Sequence, residues 1–307
     1  MVAVPTSSSA LVRFAGRVGD HNDNAMVGSG VLADALAERL GIGCTVIGHP
    51  RQAISQNWDA AFADARAELL LLQECVAGVL GEGLAPVIAG SRCASALATI
   101  PAVVAAHPDV VVVWFDAHAD LNTPETSTSG YLGGMALSGT MGWWPRDEDK
   151  VGLGSGLVPG NVILVGARDI DPPELDAIAR HGIEVVGPGV DVAERLRLAV
   201  AGRKTYIHVD CDVLEPGIVP TDYRVPNGLT LDQFADAMSA LAETGIAGIE
   251  LSEFEYGEDA ETIHAAQRLV EACRACFSAC RPTAEVRRGT GMKRRMTPEE
   301  ARRVSPP

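Results

Sequence analysis

Nowhere does this chain of 307 residues contain the roughly 18 consecutive apolar residues that a membrane-spanning helix needs. Its N-terminus also lacks a basic start leading into an apolar block and a cleavage site, so the expectation is a cytoplasmic protein without a membrane partner. Aromatic residues are sparse, at 5%, which leaves Ala, Val, Gly and Leu to fill the interior. The 7 cysteines, at positions 44, 75, 93, 211, 273, 276 and 280, are odd in number and have no compact framework spacing, as reduced thiols do. Basic charge is short as well. Against 40 Asp and Glu stand 25 Lys and Arg, for a formal net charge of −15, which argues against nucleic acid as a partner and favours the approach of a small cation. Much of that basic charge is concentrated after Arg281, in Arg287, Arg288, Lys293, Arg294, Arg295, Arg302 and Arg303, so the body is more acidic than the total indicates.

What the chain does have is regular alternation. Strand-like stretches at Leu11–Gly16, Cys44–Gly48, Pro86, Val110, Val162, Ile183, Tyr206 and Ala247 are separated mostly by amphipathic segments, including helical Gly30–Leu40 and Trp58–Leu80. This order predicts right-handed βαβ crossovers on a mainly parallel sheet, in an α/β protein with a hydrophobic content of 47%. Neither an internal repeat nor a linker divides it. Residues 1–281 are read as a single domain, and 282–307 as a basic, solvated or partner-docking tail.

The most informative segment is 114–125, where an apolar run from Val110 to Phe115 turns abruptly into Asp116, His118 and Asp120. The switch marks the carboxyl end of a buried parallel strand, the edge at which open α/β sheets bind ligands. Side chains at i, i+2 and i+4 of an extended strand share a face, so a strand end would aim all three into one site. Asp and His in such a loop also serve as ordinary turn residues. A second strand-like stretch, Tyr206 to Val209, ends in Asp210 and Asp212 before Pro216 stops it. Two aspartates on one strand face repel each other unless a cation lies between them. Together the segments supply four carboxylates and one imidazole, a hard donor set that suits two Mn²⁺ or similar ions better than one tetrahedral zinc.

On these residues the chain resembles the arginase/agmatinase (ureohydrolase) family, over roughly residues 84 to 256. The family's Asp-Ala-His-Ala-Asp element is matched in full at 116–120. Its Ser-x-Asp-x-Asp element is matched nearly so, with His208 in place of Ser and Glu215 where Asp usually precedes the Pro. The Gly-Gly-Asp-His element is altered: Gly90-Ser91-Arg92-Cys93 puts Arg92 at the Asp and Cys93 at the ligand histidine. The resemblance implies a three-layer αβα sandwich, commonly a homotrimer or homohexamer, acting on a small cationic guanidino substrate. It also implies one ion held by Cys93, Asp116, Asp120 and Asp210 and another by Asp116, His118, Asp210 and Asp212, with Asp116 and Asp210 bridging. A thiolate can replace the imidazole, although Cys93 is equally a residue that packs inert in a core. In the family a hydroxide between the ions attacks the guanidino carbon; Asp120 takes its proton and hands it to the leaving amine. Glu253 falls where the family places the acid that pairs with the substrate's guanidinium. Asn122, Ser127 and Ser129 match the residues that hold the α-carboxylate and α-amino groups, and Asp171 the acid that contacts the α-ammonium.

The family's proton-relaying histidine is missing. The segment Ser129-Gly130-Tyr131-Leu132-Gly133 has Gly133 there, which is expected to open space for a substrate modified at the terminal nitrogen, such as Nω-hydroxy-L-arginine. Cys93, Tyr131 and Gly133 resemble the arginase-like enzymes of actinobacterial antibiotic biosynthesis. The expected products are L-ornithine with urea or hydroxyurea. Two other readings stay open: an agmatinase or guanidino-acid hydrolase, which would not need Asp171 or Ser129, and a metal-poor pseudoenzyme or regulatory subunit. Gly152-Leu-Gly154-Ser-Gly156 lacks the preceding strand and the Lys-Ser/Thr of a phosphate loop, and Cys273, Cys276 and Cys280 fall in a helical pattern as core thiols.

Overall fold

A computed structural model describes residues 8–144, 156–257 and 260–280. The tail from residue 282 and the glycine-rich stretch 152–155 lie outside the described residues. All eight expected strands form, as β1 Ser9–Phe14, β2 Cys44–Ile47, β3 Ala85–Ala89, β4 Val111–Phe115, β5 Val162–Val165, β6 Glu184–Val186, β7 Thr205–Asp210 and β8 Ile246–Ser252. They make one sheet in the order β2-β1-β3-β8-β7-β4-β5-β6, with every pairing parallel. Each residue of β3, β4, β5, β7 and β8 is buried, which accounts for the unbroken apolar sequences of β3, β4 and β5, whereas β2 at one edge is largely exposed.

Strand alternation divides the interior in two. Val111, Val113 and Phe115 of β4 face a layer made by α1 Asn24–Leu40, α6 Val192–Val200, α7 Leu231–Leu241, α8 Glu261–Ala272 and α9 Arg274–Ala279. Val112 and Trp114 face the opposite layer of α2 Trp58–Gly81, α3 Ala96–Ala106, the short α4 Ala136–Thr140 and α5 Pro172–His181. The result is the expected αβα sandwich. Local signals set the helix ends: Asn57 caps α2 by accepting from Ala60 N, Thr230 and Gln233 form a capping box on α7, and Gly41 closes α1 with φ 66°. Cys273, Cys276 and Cys280 pack as buried thiols beside α7, and Cys276 Sγ contacts Met238 O at 3.1 Å.

Helix α1 starts at Asn24, earlier than its apolar pattern predicts. A glycine inside a helix costs about 1 kcal/mol relative to alanine, so Gly28 reads locally as a weak position. Tertiary contact explains it: a Cβ there would come within 2.0 Å of Phe254 O. The glycine lets the segment that follows β8 lie against the helix.

Candidate metal centre and substrate cavity

Four neighbouring strands, β3, β8, β7 and β4, deliver the site. Arg92 and Cys93 follow β3, Glu253 follows β8, Asp210 ends β7, Asp212 lies in the one-turn helix Cys211–Val213, and Asp116 to Asp120 follow β4. The expectation that strand alternation aligns these ligands is corrected here, because only Asp210 belongs to a strand. The chain curls instead. Asp116 Oδ1 accepts from His118 N at 2.7 Å, Asp210 Oδ1 accepts from Asp212 N at 2.8 Å, and Asp120 adopts a left-handed φ of 52°. The turn-forming and ligand-presenting roles are compatible because each carboxylate oxygen has two lone pairs; Asp116 Oδ2 also accepts from Trp114 Nε1 at 3.0 Å.

Ligand atoms of Cys93, Asp116 and Asp120 lie within 4.8 Å of one another, as do those of Asp116, His118 and Asp212, and those of Cys93, Asp210 and Glu253. Asp116 belongs to two of the groups. His118 Nδ1 is 3.2 Å from Asp116 Oδ1 and 3.0 Å from Asp212 Oδ2, and Cys93 Sγ is 3.1 Å from Asp210 Oδ2. Burial and the neighbouring carboxylates push the Asp120 and Asp210 carboxyls well above the usual range. Burial opposes a charge on His118, but Asp116 and Asp212 outweigh it and raise its pKa. Burial, then Asp210 and Glu253, push the Cys93 thiol up. Asp212 Oδ2 is buried with the His118 ring as its partner at 3.0 Å. Four buried carboxylates, Asp116, Asp120, Asp210 and Asp212, around one imidazole are costly, and a divalent cation is the partner this donor set fits.

Behind Cys93 stands a second polar row that sequence reading did not assemble. His208 Nε2 is 3.2 Å from Cys93 Sγ, its Nδ1 is 2.6 Å from Glu250 Oε1, and Thr99 Oγ1 donates to Glu250 Oε2 at 2.6 Å. The imidazole stacks on Trp114 with ring centroids 3.5 Å apart.

Arg92 turns towards Glu253. It is fully buried, and its Nη1 donates to Glu253 Oε2 at 2.6 Å, while Glu253 Oε1 accepts from Cys93 N at 2.8 Å. Glu253 has a left-handed φ of 62°, which points its side chain back over the strand ends. Asp20 and Glu255, which also bind Arg92, were missed from sequence. A signal existed: an arginine among the small residues 89–96 reads as buried and must find carboxylates.

These side chains border a cavity of about 280 Å³, lined by Cys93, His118, Asp120, Asp210 and Glu253 together with Asn122, Ser127, Ser129 and Asp171. Asn122 Nδ2 donates to Asp171 Oδ2 at 2.9 Å. Ser127 Oγ accepts from Gly130 N and Ser129 Oγ from Tyr131 N, so the four residues expected at the amino-acid end of the substrate come to one cluster, with Glu253 across the cavity. Glu174 ties the cluster to helix α5, accepting from Leu121 N at 2.8 Å and Asp171 N at 2.9 Å. Tyr223, not singled out in sequence, adds an aromatic edge 5.3 Å from the His118 ring.

The space expected beside Gly133 is not open. A Cβ at Gly133 would lie 2.4 Å from Tyr131 Cε1 and 2.8 Å from its Cζ, so the tyrosine ring fills the volume that the missing side chain vacates. The Tyr131 hydroxyl is buried, takes no protein hydrogen bond, and its residue lines the cavity.

Comparison with known proteins agrees with this geometry. A family model described as "Arginase family" matches residues 41–275. The Nω-hydroxy-L-arginine amidinohydrolase of Streptomyces lavendulae is 38% identical over 252 residues, covering 82% of this chain and 90% of that protein. The arginase of Schizosaccharomyces pombe is 33% identical over 162 residues, 49% of this chain and 50% of that one. Among solved structures, Bacillus cereus arginase superposes with a TM-score of 0.75 at 25% identity, over 87% of this chain and 97% of that one.

Proposed function

The chain belongs to the arginase family, and from that premise we propose that it hydrolyses the guanidino group of Nω-hydroxy-L-arginine, giving L-ornithine and hydroxyurea. It is an amidinohydrolase, a metal-dependent hydrolase of C–N bonds in linear amidines. The observation that carries the reading is the pair of ligand groups sharing Asp116 on the wall of a cavity whose other lining residues suit an amino acid.

Cys93, Asp116, Asp120 and Asp210 would hold one ion, and Asp116, His118, Asp210 and Asp212 the other. Mn²⁺ is the ion we assign, because oxygen donors dominate the set; Cys93 adds one softer ligand. When bound, the two ions offset the carboxylate charge and make a hydroxide available near neutral pH. Asp120 accepts the nucleophile's proton and passes it to the departing amine. Glu253 orients the guanidino group through its carboxylate oxygens. Asn122 and Asp171, hydrogen-bonded to each other, take the α-amino and α-carboxylate end with Ser127 and Ser129. The ring of Tyr131 excludes water from the place where Gly133 leaves no side chain. A cytoplasmic homotrimer or homohexamer completes the reading.

Release of L-ornithine by the purified protein tests it, with added Mn²⁺ or with chelator, from Nω-hydroxy-L-arginine and L-arginine in parallel. Metal-dependent release that is faster from the hydroxylated substrate is expected. Faster release from L-arginine would assign an ordinary arginase, and none from either would remove the proposal.

A further inference from the structure

The loop after β3 brings a guanidinium of the protein's own against the site. Three nitrogens of Arg92 each hold a different carboxylate: Nε donates to Asp20 Oδ1 at 3.1 Å, Nη1 to Glu253 Oε2 at 2.6 Å and Nη2 to Glu255 Oε1 at 3.1 Å. Asp222 Oδ2 is a further 3.8 Å from Nη1. Of these acids, Glu253 is the one that lines the cavity. Its other oxygen already accepts from Cys93 N, so both oxygens carry donors before any substrate arrives.

Arginine stays protonated under all conditions in which a protein is folded, so this compensation is permanent. Each carboxylate oxygen has two lone pairs, and Glu253 can still accept hydrogen bonds from a ligand. Its attraction for a cation is weakened by Arg92, while the other acids that Arg92 holds, Asp20 and Glu255, do not line the cavity. At about 5 Å and an effective dielectric near 20, one uncompensated unit charge changes the affinity for a cation on the order of 100-fold, and Arg92 supplies the opposing charge at hydrogen-bond distance. A wall whose facing carboxylate is already paired with a guanidinium suits an uncharged N–H donor better than a second guanidinium. An electronegative oxygen on the terminal nitrogen makes a guanidine a weaker base, so such a substrate offers its uncharged form near neutral pH where L-arginine does not.

We propose that Arg92 is a positioning residue that sets substrate charge: by compensating Glu253 it directs the cavity to the uncharged form of an Nω-substituted guanidine and against the guanidinium of L-arginine. This rests on the functional reading above, and it explains an arginine fully buried next to a proposed metal ligand.

The test is calorimetric binding of two poor substrates to the Mn²⁺-loaded protein: uncharged Nω-nitro-L-arginine and cationic Nω-methyl-L-arginine. The wild type should bind the uncharged ligand at least ~10-fold more tightly. Arg92→Gln should shift that ratio towards the cation by ~10-fold or more, and Arg92→Lys, which keeps the charge, should restore the wild-type preference. A folded Arg92→Gln with an unchanged ratio would overturn the proposal. Should Arg92→Gln not fold, because Asp20 and Glu255 lose their counterion, the double change Arg92→Gln/Glu255→Gln removes one stranded acid; the wild-type ratio decides in any case, since preference for the cation overturns the proposal. Cation preference would leave the amidinohydrolase reading intact, whereas failure of both ligands to bind would defeat that reading and this inference together.

Discussion

His208 Nε2 faces Cys93 Sγ at 3.2 Å, an imidazole directly behind a thiol where the family pattern has a serine behind an imidazole. The two positions have exchanged bulk, small for large in front and large for small behind, and both side chains are buried. His208 cannot rotate, because Trp114 covers its face and Glu250 holds its Nδ1. Outer partners of a metal ligand typically govern 10–100-fold of metal affinity. His208→Ala is therefore expected to weaken Mn²⁺ binding by about 10–100-fold. It also leaves Glu250 without its partner and opens a cavity, at about 3 kcal/mol of stability. Metal titration and denaturant unfolding read the two effects separately; an unchanged metal affinity would detach His208 from the site.

Removing metal should invert the pH dependence of stability. The Asp120 and Asp210 carboxyls are raised by burial and by neighbouring acids, and His118 is raised because Asp116 and Asp212 overcome its burial. All three bind more protons folded than unfolded, so stability falls as pH climbs from about 4 through neutrality. Asp116 is lowered and acts in the opposite sense, but below that window. Chelated protein should consequently melt at a higher temperature near about pH 5.5 than near about pH 8, and Mn²⁺ should stabilise most at the higher pH. A chelated protein that gains stability over this interval would contradict the cluster as described.

Tyr131 and Gly133 should be energetically coupled. Gly133→Ala forces a methyl group against the Tyr131 ring, at about 1–3 kcal/mol, and the cost should largely vanish once Tyr131→Ala has removed the ring. Thermal midpoints of the two single variants and the double variant measure this. Additive effects would show that the ring does not occupy the glycine's space.

Asp171→Ala should raise KM for Nω-hydroxy-L-arginine about 10–100-fold with a smaller change in kcat, the loss of one hydrogen bond to a charged group. The residue holds Asn122 and lies at the start of α5, away from the clustered ligand atoms. Steady-state kinetics decides; a variant with unaltered KM would favour a guanidino substrate without an α-amino group.

Much of the site was legible because it depends on residue type at short spacing. Asp116, His118 and Asp120 stand out as polar residues ending an apolar strand, and Asp210 with Asp212 repeats the pattern. The mode of convergence was not legible. Strand periodicity suggested a shared face, while the chain uses turns and a positive φ at Asp120, conformations that side-chain identity does not encode. The opening expected at Gly133 failed for a related reason: a glycine removes atoms locally, but whether a void results depends on what else packs there, and here Tyr131 does.

By itself the sequence determined the eight-stranded parallel sheet, since hydrophobic runs and their spacing are local properties that bury the same residues whatever the detail of packing. It also singled out Cys93, Asp116, His118, Asp120, Asp210 and Asp212, whose ligand atoms the fold brings into clusters. Only the tertiary structure decided the charge balance around them. Arg92 is separated by 161 residues from Glu253 and 72 from Asp20, and nothing in either neighbourhood names the other. The adjacency of β3 and β8 in the sheet brings them together, and Coulomb interaction across a few ångströms in a buried site then decides what charge a bound substrate can carry.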